Sequence, residues 1–173
     1  MLELSRFSSL GAALKDAVEQ FGDDIALIES NRDKESARFT YNQFRGEARR
    51  FSALLASHGL EPGDRCAMLM QNQSKWPISA TGAFWAGATL VPLDYKLTPG
   101  EQRILLMHSE AKAMVVEWLI WERWLAEELH VPSTLNVYVS EAPDGRELGG
   151  ALRWETATDF SQHYVERARS DIA

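Results

Sequence analysis

The sequence is poor in cysteine and in positive charge. Its one cysteine, Cys66, cannot form a disulfide within the chain, and it lies in an apolar run that is typical of a buried strand. This pattern, together with an N-terminus that lacks the basic start and long apolar region of a signal peptide, predicts a cytoplasmic protein. The 18 lysines and arginines are outnumbered by 25 aspartates and glutamates, which gives a formal net charge of −7. Nucleic acid is therefore not expected as a partner, because phosphate binding needs a basic surface.

Motifs that mark common catalytic sites are also missing. The sequence contains no Gly-x-x-x-x-Gly-Lys-[Ser/Thr] phosphate loop, no Gly-x-Gly-x-x-Gly after a strand and no Gly-x-Ser-x-Gly turn. The four histidines lack the spacing of metal ligands, and we expect them at the surface or at helix ends: His58, His108, His130 and His163. The residues alone therefore predict no catalytic, cofactor-binding or metal-binding residue.

One run without a formal charge is long enough to raise the question of a membrane helix. It extends from Trp76 to Leu93, and about 18 apolar residues is the length at which a membrane-spanning helix must be considered. Prolines, glycines and hydroxyl side chains interrupt the run, however. We therefore predict no membrane span. Instead we predict a packed helix over 78–86, ended by Gly87, and then a short buried strand that Pro92 stops.

Two predicted helices begin with capping boxes. Residues 40–43 and 98–101 each place a threonine three residues before a glutamine or glutamate, so that the two side chains can bind each other's backbone N–H groups. The helix after the first box carries Arg45, Arg49 and Arg50 on its polar side. This arginine cluster has two interpretations, a phosphate site or a solvated helix face. We favour the solvated face, because runs of charge are usually exposed.

Apolar strand-like segments alternate with helical patterns along the chain. Predicted strands cover residues 25–29, 37–40, 66–70, 89–91, 113–116 and 137–139, and predicted helices cover 9–21, 40–59, 78–86, a segment after 98, 118–129 and 160–169. The first two strands are close enough to form a hairpin. The alternation of the other segments predicts an α/β fold with a mainly parallel sheet flanked by helices, in one domain spanning residues 1–173.

Three tryptophans fall on one side of the predicted helix over 118–129. They are Trp118, Trp121 and Trp124, with Leu125 and Leu129 beside them. An aromatic face of this kind can mark a partner site. Burial in the core is the interpretation that we favour, because apolar helix faces are usually buried.

Several short motifs recur in a characteristic order. They are Phe39-Thr40-Tyr41, Pro62-Gly63-Asp64-Arg65, Asn72, Ala86-Gly87-Ala88, Val91-Pro92-Leu93 and Leu97-Thr98-Pro99-Gly100-Glu101. Their order and spacing resemble the N-terminal part of the adenylate-forming, AMP-binding enzymes. This family includes acyl- and aryl-CoA synthetases, the adenylation domains of peptide synthetases and firefly luciferase. The resemblance extends from about residue 10 to residue 139, and the motif at 97–101 looks closer to acyl-CoA ligases than to peptide synthetases.

The resemblance implies a two-step reaction for the parent enzyme. A carboxylate and ATP give an acyl-adenylate and pyrophosphate, and coenzyme A then takes the acyl group as a thioester. ATP, magnesium and coenzyme A are thus implied for the parent and none for this chain. In the family, the phosphate-binding loop follows a strand that often begins like Asp171-Ile172-Ala173, which ends this sequence. We therefore expect an N-terminal portion truncated before that loop, with no catalytic residue of its own and no activity alone.

The same resemblance suggests partners. The expected partner is the remainder of the parent enzyme, and the parent would also bind a carboxylic acid substrate. An apolar surface left uncovered would expose the chain to self-association as a homodimer. The alternative is a stand-alone, non-catalytic α/β binding or scaffold domain, with the face formed by Trp118, Trp121 and Trp124 as its partner surface.

Overall fold

The fold of the protein is given by a computed structural model that describes residues 7–31 and 34–160. Helices and strands alternate along most of this length, as the sequence predicts. In chain order the elements are α1 (Leu10–Phe21), β1 (Ile25–Asn31), β2 (Lys34–Thr40), α2 (Tyr41–Ser57), β3 (Arg65–Leu69), α3 (Lys75–Trp85), β4 (Thr89–Pro92), α4 (Pro99–Ser109), β5 (Ala113–Glu117), α5 (Trp118–Ala126), β6 (Asn136–Ser140), β7 (Leu152–Arg153) and α6 (Trp154–Phe160).

The main sheet has five strands in the order β4-β3-β5-β6-β7. Every neighbouring pair of strands in it is parallel. Helices α2, α3 and α6 contribute to the apolar cluster on one face of the sheet, and helices α4 and α5 contribute to the cluster on the other face. The predicted α/β architecture, a parallel sheet flanked by helices, is therefore confirmed.

The two faces of the sheet follow from the alternation of side chains along each strand. On β3, Cys66 and Met68 point into the cluster that contains Phe51, whereas Ala67 and Leu69 point into the cluster that contains Trp124. Because both faces are covered, a central strand of this kind must be apolar at every position. Fully burying one large apolar side chain contributes about 1.5–3 kcal/mol, so each of the two clusters stabilises the fold.

A glycine fixes the spacing between helices α2 and α3. A Cβ atom at Gly82 would lie 2.7 Å from the carbonyl oxygen of Ala48 and 3.0 Å from Cδ1 of Phe51. Real Cβ atoms essentially never lie as close as 2.7 Å to a backbone oxygen, so the close approach of the two helices requires glycine at residue 82. This contact holds α2, and the loops next to it, against the sheet.

Strands β1 and β2 form a separate antiparallel hairpin, as predicted. The capping box at the start of α2 is also confirmed, since the Thr40 hydroxyl accepts from Gln43 N and the Gln43 side chain accepts from Thr40 N. The Tyr41 N–H donates to Asp24 O at 3.0 Å, which ties the base of the hairpin to the first turn of α2. This hydrogen bond fixes the direction in which the hairpin extends from the start of α2.

The charge-free run from Trp76 to Leu93 divides into α3 and β4, as the sequence predicts. The prediction that the strand is buried is wrong, because β4 lies at the edge of the sheet with Thr89 and Pro92 exposed. Gly87 adopts a positive φ of 78° after the helix. The helix begins earlier than predicted, at Lys75, because a proline in the first turn, here Pro77, costs no helical hydrogen bond. Among the helices of the described residues, none is long and apolar enough to cross a membrane.

Two predictions about the C-terminal half are wrong. Helix α5 ends at Ala126 rather than at Leu129, because Glu128 takes a left-handed conformation with φ 52° and the Leu129 N–H returns to Trp124 O at 2.9 Å. Strand β7 and helix α6 were not predicted, since two residues are too few for a strand pattern. The predicted helix over 160–169 lies, apart from its first residue, outside the described residues.

Candidate functional site

The strand order creates a crevice at one edge of the sheet. From β3 the chain crosses to β4 on one side of β3 and then returns to form β5 on the other side. The connections after β3 and β5 therefore leave in opposite directions. Open parallel sheets bind ligands in the crevice outside the carboxyl ends of strands at such a switch point. The residues that follow β3 and β5 are thus the first candidates for a functional site.

The side chain of Glu117, at the carboxyl end of β5, lies at this crevice. Its side chain accepts hydrogen bonds from the backbone N–H and the side-chain amide of Gln71, both at 2.9 Å, and from the side-chain amide of Gln73 at 3.3 Å. Glu117 is buried and occupies the N-cap position of α5, yet its side chain does not cap that helix. The carboxylate therefore positions the loop after β3 instead of stabilising its own helix.

A second carboxylate holds the same loop from the opposite side. Glu29 on β1 accepts a hydrogen bond from the backbone N–H of Ser74 at 2.6 Å. Burial raises the pKa of Glu29, but hydrogen bonds from Ser74 and the charge of Lys75 outweigh it, so the pKa lies below the ordinary value of 4.5. The loop between β3 and α3 is thus fixed between two acidic side chains, Glu117 from the sheet and Glu29 from the hairpin.

Lys75, the first residue of α3, connects three elements. Its ammonium forms ion pairs with Glu141, which follows β6, and with Glu155 on α6 at 3.4 Å, and it lies 5.9 Å from the ring centroid of Trp154. Desolvation lowers the pKa of Lys75, but the hydrogen bonds and charges of the two glutamates outweigh it and place the pKa above its ordinary value of 10.5. The Lys75 ammonium is therefore engaged within the fold.

Two cavities lie beside Ser74. The first, which we call the hairpin cavity, has a volume of about 350 Å³ and lies between β1 and residues 72–77. The second has a volume of about 230 Å³ and lies between β2, α2, α3 and α6, where Phe39 and Trp154 line it. Ser74 lines both cavities, so the loop that Glu29 and Glu117 hold is their common wall.

The structure separates most residues that the sequence singled out. His58, His108 and His130 are exposed, as predicted, and His163 lies outside the described residues. Within the described ranges, no group of three or more His, Cys, Asp or Glu side chains is arranged to hold a metal ion. Burial raises the pKa of the Cys66 thiol to about 12, which makes this cysteine a poor nucleophile.

Two arginines of the cluster on α2 have carboxylate partners within the protein. Arg49 pairs with Glu19 at 3.4 Å, and Arg50 pairs with Glu47. Two of the three cations are thus bound to carboxylates of the protein itself. This arrangement favours the interpretation as a charged helix face rather than as an anion site.

The tryptophan face of α5 is part of the core. Trp118, Trp121 and Trp124 are all buried, and the indole N–H of Trp124 donates to the side chain of Gln102 at 2.9 Å. The favoured prediction is therefore confirmed. The partner surface that the stand-alone alternative assigned to these tryptophans is not available, because the protein's own sheet and helix α4 cover it.

Sequence reasoning missed the polar contacts at the carboxyl edge. The available signal is positional: Glu117 directly follows the fully buried segment 113–116, and the polar run 71–74 follows β3 and Met70. Charged or amide side chains that end two neighbouring parallel strands meet at one edge of the sheet. Glu29, in contrast, lies in a hairpin whose docking could not be derived from its own sequence.

Comparison with known proteins supplies the family. The family model described as "AMP-binding enzyme" matches residues 14–171, which is most of the chain. The protein belongs to the AMP-binding enzymes. The resemblance to adenylate-forming enzymes that the motifs suggested is thereby confirmed.

Curated relatives of this AMP-binding protein are much longer than the chain. The 3-[(3aS,4S,7aS)-7a-methyl-1,5-dioxo-octahydro-1H-inden-4-yl]propanoyl:CoA ligase from Rhodococcus jostii is 34% identical over 105 residues. That match covers 61% of this chain and 19% of the relative. 4-Hydroxybutyrate–CoA ligase 2 from Metallosphaera sedula is 26% identical over 151 residues, covering 86% of this chain and 26% of the relative. The AMP-binding protein thus spans about a fifth to a quarter of these relatives.

Solved structures share the fold. A benzoate CoA ligase from Burkholderia xenovorans LB400 superposes with a TM-score of 0.72 at 23% identity, covering 88% of this chain and 28% of that chain. An anthranilate CoA ligase in complex with anthranoyl-AMP gives a TM-score of 0.73 at 20% identity, with the same two coverages. At these identities the likeness establishes the fold of the AMP-binding protein alone.

Proposed function

We propose that this chain acts as the N-terminal part of an acyl-CoA ligase. In the proposed reaction a carboxylic acid and ATP give an acyl-adenylate and pyrophosphate, and coenzyme A then takes the acyl group as a thioester. The observation that carries the proposal is the family match over residues 14–171, taken with relatives that are named as CoA ligases. The identity of the acid is left open, because those relatives are named for very different acids.

The described carboxyl edge of the sheet does not fit the phosphates of ATP. Glu117, Glu141 and Glu155 lie there, with Glu29 of the hairpin beside them. The cations Lys75 and Arg153 are already bound within the fold, Lys75 to glutamates and Arg153 to the carbonyl oxygens of Ala142 and Pro143. A polyphosphate would be repelled there, because like charges at short range raise the free energy of binding. In this proposal the phosphate-binding and magnesium-binding groups therefore come from other parts of a longer enzyme.

The contribution of this chain is then to build and hold one wall of the enzyme. Glu117 and Glu29 fix the loop after β3, and Lys75 fixes the start of α3 against α6. We infer that the isolated 173-residue chain does not adenylate any acid. The chain would work only together with the remainder of the parent enzyme, its expected partner.

Isotope exchange between ATP and pyrophosphate tests this proposal directly. The purified 173-residue chain and a longer natural protein that contains it would be assayed with a panel of aliphatic and aromatic carboxylic acids. We expect acid-dependent exchange from the longer protein only. Exchange by the 173-residue chain would contradict its inactivity, and no exchange by the longer protein with any acid would contradict the ligase function.

Exposed apolar side chains support the need for a covering partner. Ile104 on α4 is 66% exposed and Leu119 on α5 is 61% exposed, and Leu105 and Met107 are also exposed. In the proposal the remainder of the enzyme covers part of this surface. We expect the isolated chain to bind a hydrophobic dye and to dimerise at high concentration in sedimentation experiments. A monomer without dye binding would instead favour the stand-alone binding domain.

A further inference from the structure

The hairpin cavity combines apolar walls with a single charge. Leu27 and Ile28 of β1 face Trp76 and Pro77 of α3 across a volume of about 350 Å³. Glu29 is the one formally charged side chain among the described residues that line it. Small-molecule sites usually have this size and this composition, a mainly apolar lining with a few polar groups that fix orientation.

The polar wall of this cavity is held in place before any ligand arrives. Ser74 is bound to Glu29 through its backbone N–H, and Gln73 is bound to Glu117 through its side-chain amide. The Ser140 hydroxyl also donates to the Gln73 side chain at 3.4 Å. A wall fixed from three directions loses little conformational entropy on binding, which favours affinity for a small ligand.

The charge of the cavity selects against anions. Its carboxylate, on Glu29, has a lowered pKa and is therefore ionised at neutral pH. Among the described residues, Lys75 is a cation whose charge acts on Glu29, but its ammonium is paired with both Glu141 and Glu155. These four groups together carry more negative than positive charge, so a positively charged ligand is attracted and a carboxylate is repelled.

We propose that the hairpin cavity binds a small organic cation that carries an aromatic or alkyl group, such as an arylammonium. The carboxylate of Glu29 would accept a hydrogen bond from the ammonium, and the ring of Trp76 would contribute a cation–π contact. The apolar part of the ligand would lie against Leu27, Ile28 and Pro77. This site does not depend on the ligase function.

Three probes of matched shape test the charge preference. Benzylamine, benzyl alcohol and benzoate share one ring and differ in charge, and each would be titrated into the 173-residue protein. Binding would be followed by NMR chemical shifts of the backbone amides of 27–30 and 72–74 and of the Trp76 indole. We expect benzylamine to bind about tenfold more tightly than benzyl alcohol, because one partly screened charge pair can supply a difference of that size. We expect benzoate to cause no shifts at these amides or at the Trp76 indole.

A matched pair of variants locates the effect. Glu29→Gln should bring benzylamine down to the affinity of benzyl alcohol, whereas Glu127→Gln, which removes an exposed carboxylate after α5, should change nothing. Equal binding of the three probes, tighter binding of benzoate, or shifts spread over the whole acidic surface would overturn the proposal. The probe series on the unaltered protein decides this even if Glu29→Gln folds poorly.

Discussion

The five-stranded sheet and the β1–β2 hairpin are stabilised by different interactions. All five residues of β5 are buried, whereas no residue of β2 is fully buried. The sheet is therefore held by apolar burial. The hairpin is held by its own backbone hydrogen bonds, by Phe39 packed against the core, and by polar contacts such as Glu29 with Ser74. A two-stranded hairpin alone is marginally stable in water, so it can open while the sheet stays folded.

The largest effect is expected where helices α2 and α3 approach each other most closely. Gly82→Ala places a methyl group 2.7 Å from Ala48 O, and overpacking of this kind costs about 1–3 kcal/mol or more. Gly100→Ala is the matched control, because a Cβ there meets nothing within 4 Å, and it should gain up to about 1 kcal/mol from helix propensity. Urea unfolding would measure both variants.

If both glycine variants shift the unfolding midpoint in the same direction, the close approach of α2 and α3 is not a determinant of stability. Gly82→Ala destabilises the whole fold if it lowers the urea midpoint and if the amides of the hairpin and of β5 lose hydrogen-exchange protection together. That second result is the one expected for a defect in the shared core.

An intermediate effect is expected at Lys75, which joins the sheet to α6. Lys75→Met removes the cation that pairs with both Glu141 and Glu155. We expect the free energy of unfolding to fall by about 1–2 kcal/mol, a value between those typical of exposed and of buried ion pairs. The control variant Lys15→Met, at an exposed position on α1, should lower the free energy of unfolding by less.

The pH dependence of the Lys75 effect follows from the direction of its pKa shift. Because folding raises the pKa, the stabilisation by Lys75 is fully present below its ordinary pKa of 10.5 and is lost as the pH rises through the raised value. The stability difference between the wild type and Lys75→Met should thus be flat from pH 7 to pH 9 and shrink above about pH 10.5. A difference that grows with pH in this range would refute the ion-pair assignment.

The core could be predicted from the sequence because burial leaves a local pattern. Segments 66–70 and 113–116 are apolar at every position, and central parallel strands require that. The capping boxes at Thr40 and Thr98 were equally readable, since both partners lie within four residues. Interactions between residues close in sequence therefore predict the helices and strands and, through their alternation, the fold class.

The carboxyl edge could not be predicted, because its contacts join residues far apart in the sequence. Glu117 binds Gln71 across 46 residues, and Lys75 binds Glu141 across 66 residues. Nothing in the immediate sequence of either partner specifies the other. Helix α6 was missed for a related reason: Trp154 packs on Phe51 and donates to Ser79, so distant residues help to stabilise a helix of seven residues.

The smallest global effect, and the sharpest contrast between the two regions, is expected at Glu29. Glu29→Gln keeps an acceptor for the Ser74 N–H but removes the charge, so the urea midpoint should change little. Hydrogen exchange of the hairpin amides should become severalfold faster at neutral pH, while the amides of β5 should be unaffected. Glu127→Gln is again the control and should alter neither region.

Measuring hydrogen exchange at low pH makes the Glu29→Gln test more specific. Folding lowers the pKa of Glu29, so its contribution is fully present above its ordinary pKa of 4.5 and is lost as the pH falls through the lowered value. Hairpin exchange rates, corrected for the intrinsic effect of pH, should therefore converge for the wild type and Glu29→Gln in acid. Equal acceleration in β5 and in the hairpin would mean that the two regions unfold together. The carboxylate would then stabilise the whole domain and not the docking of one hairpin.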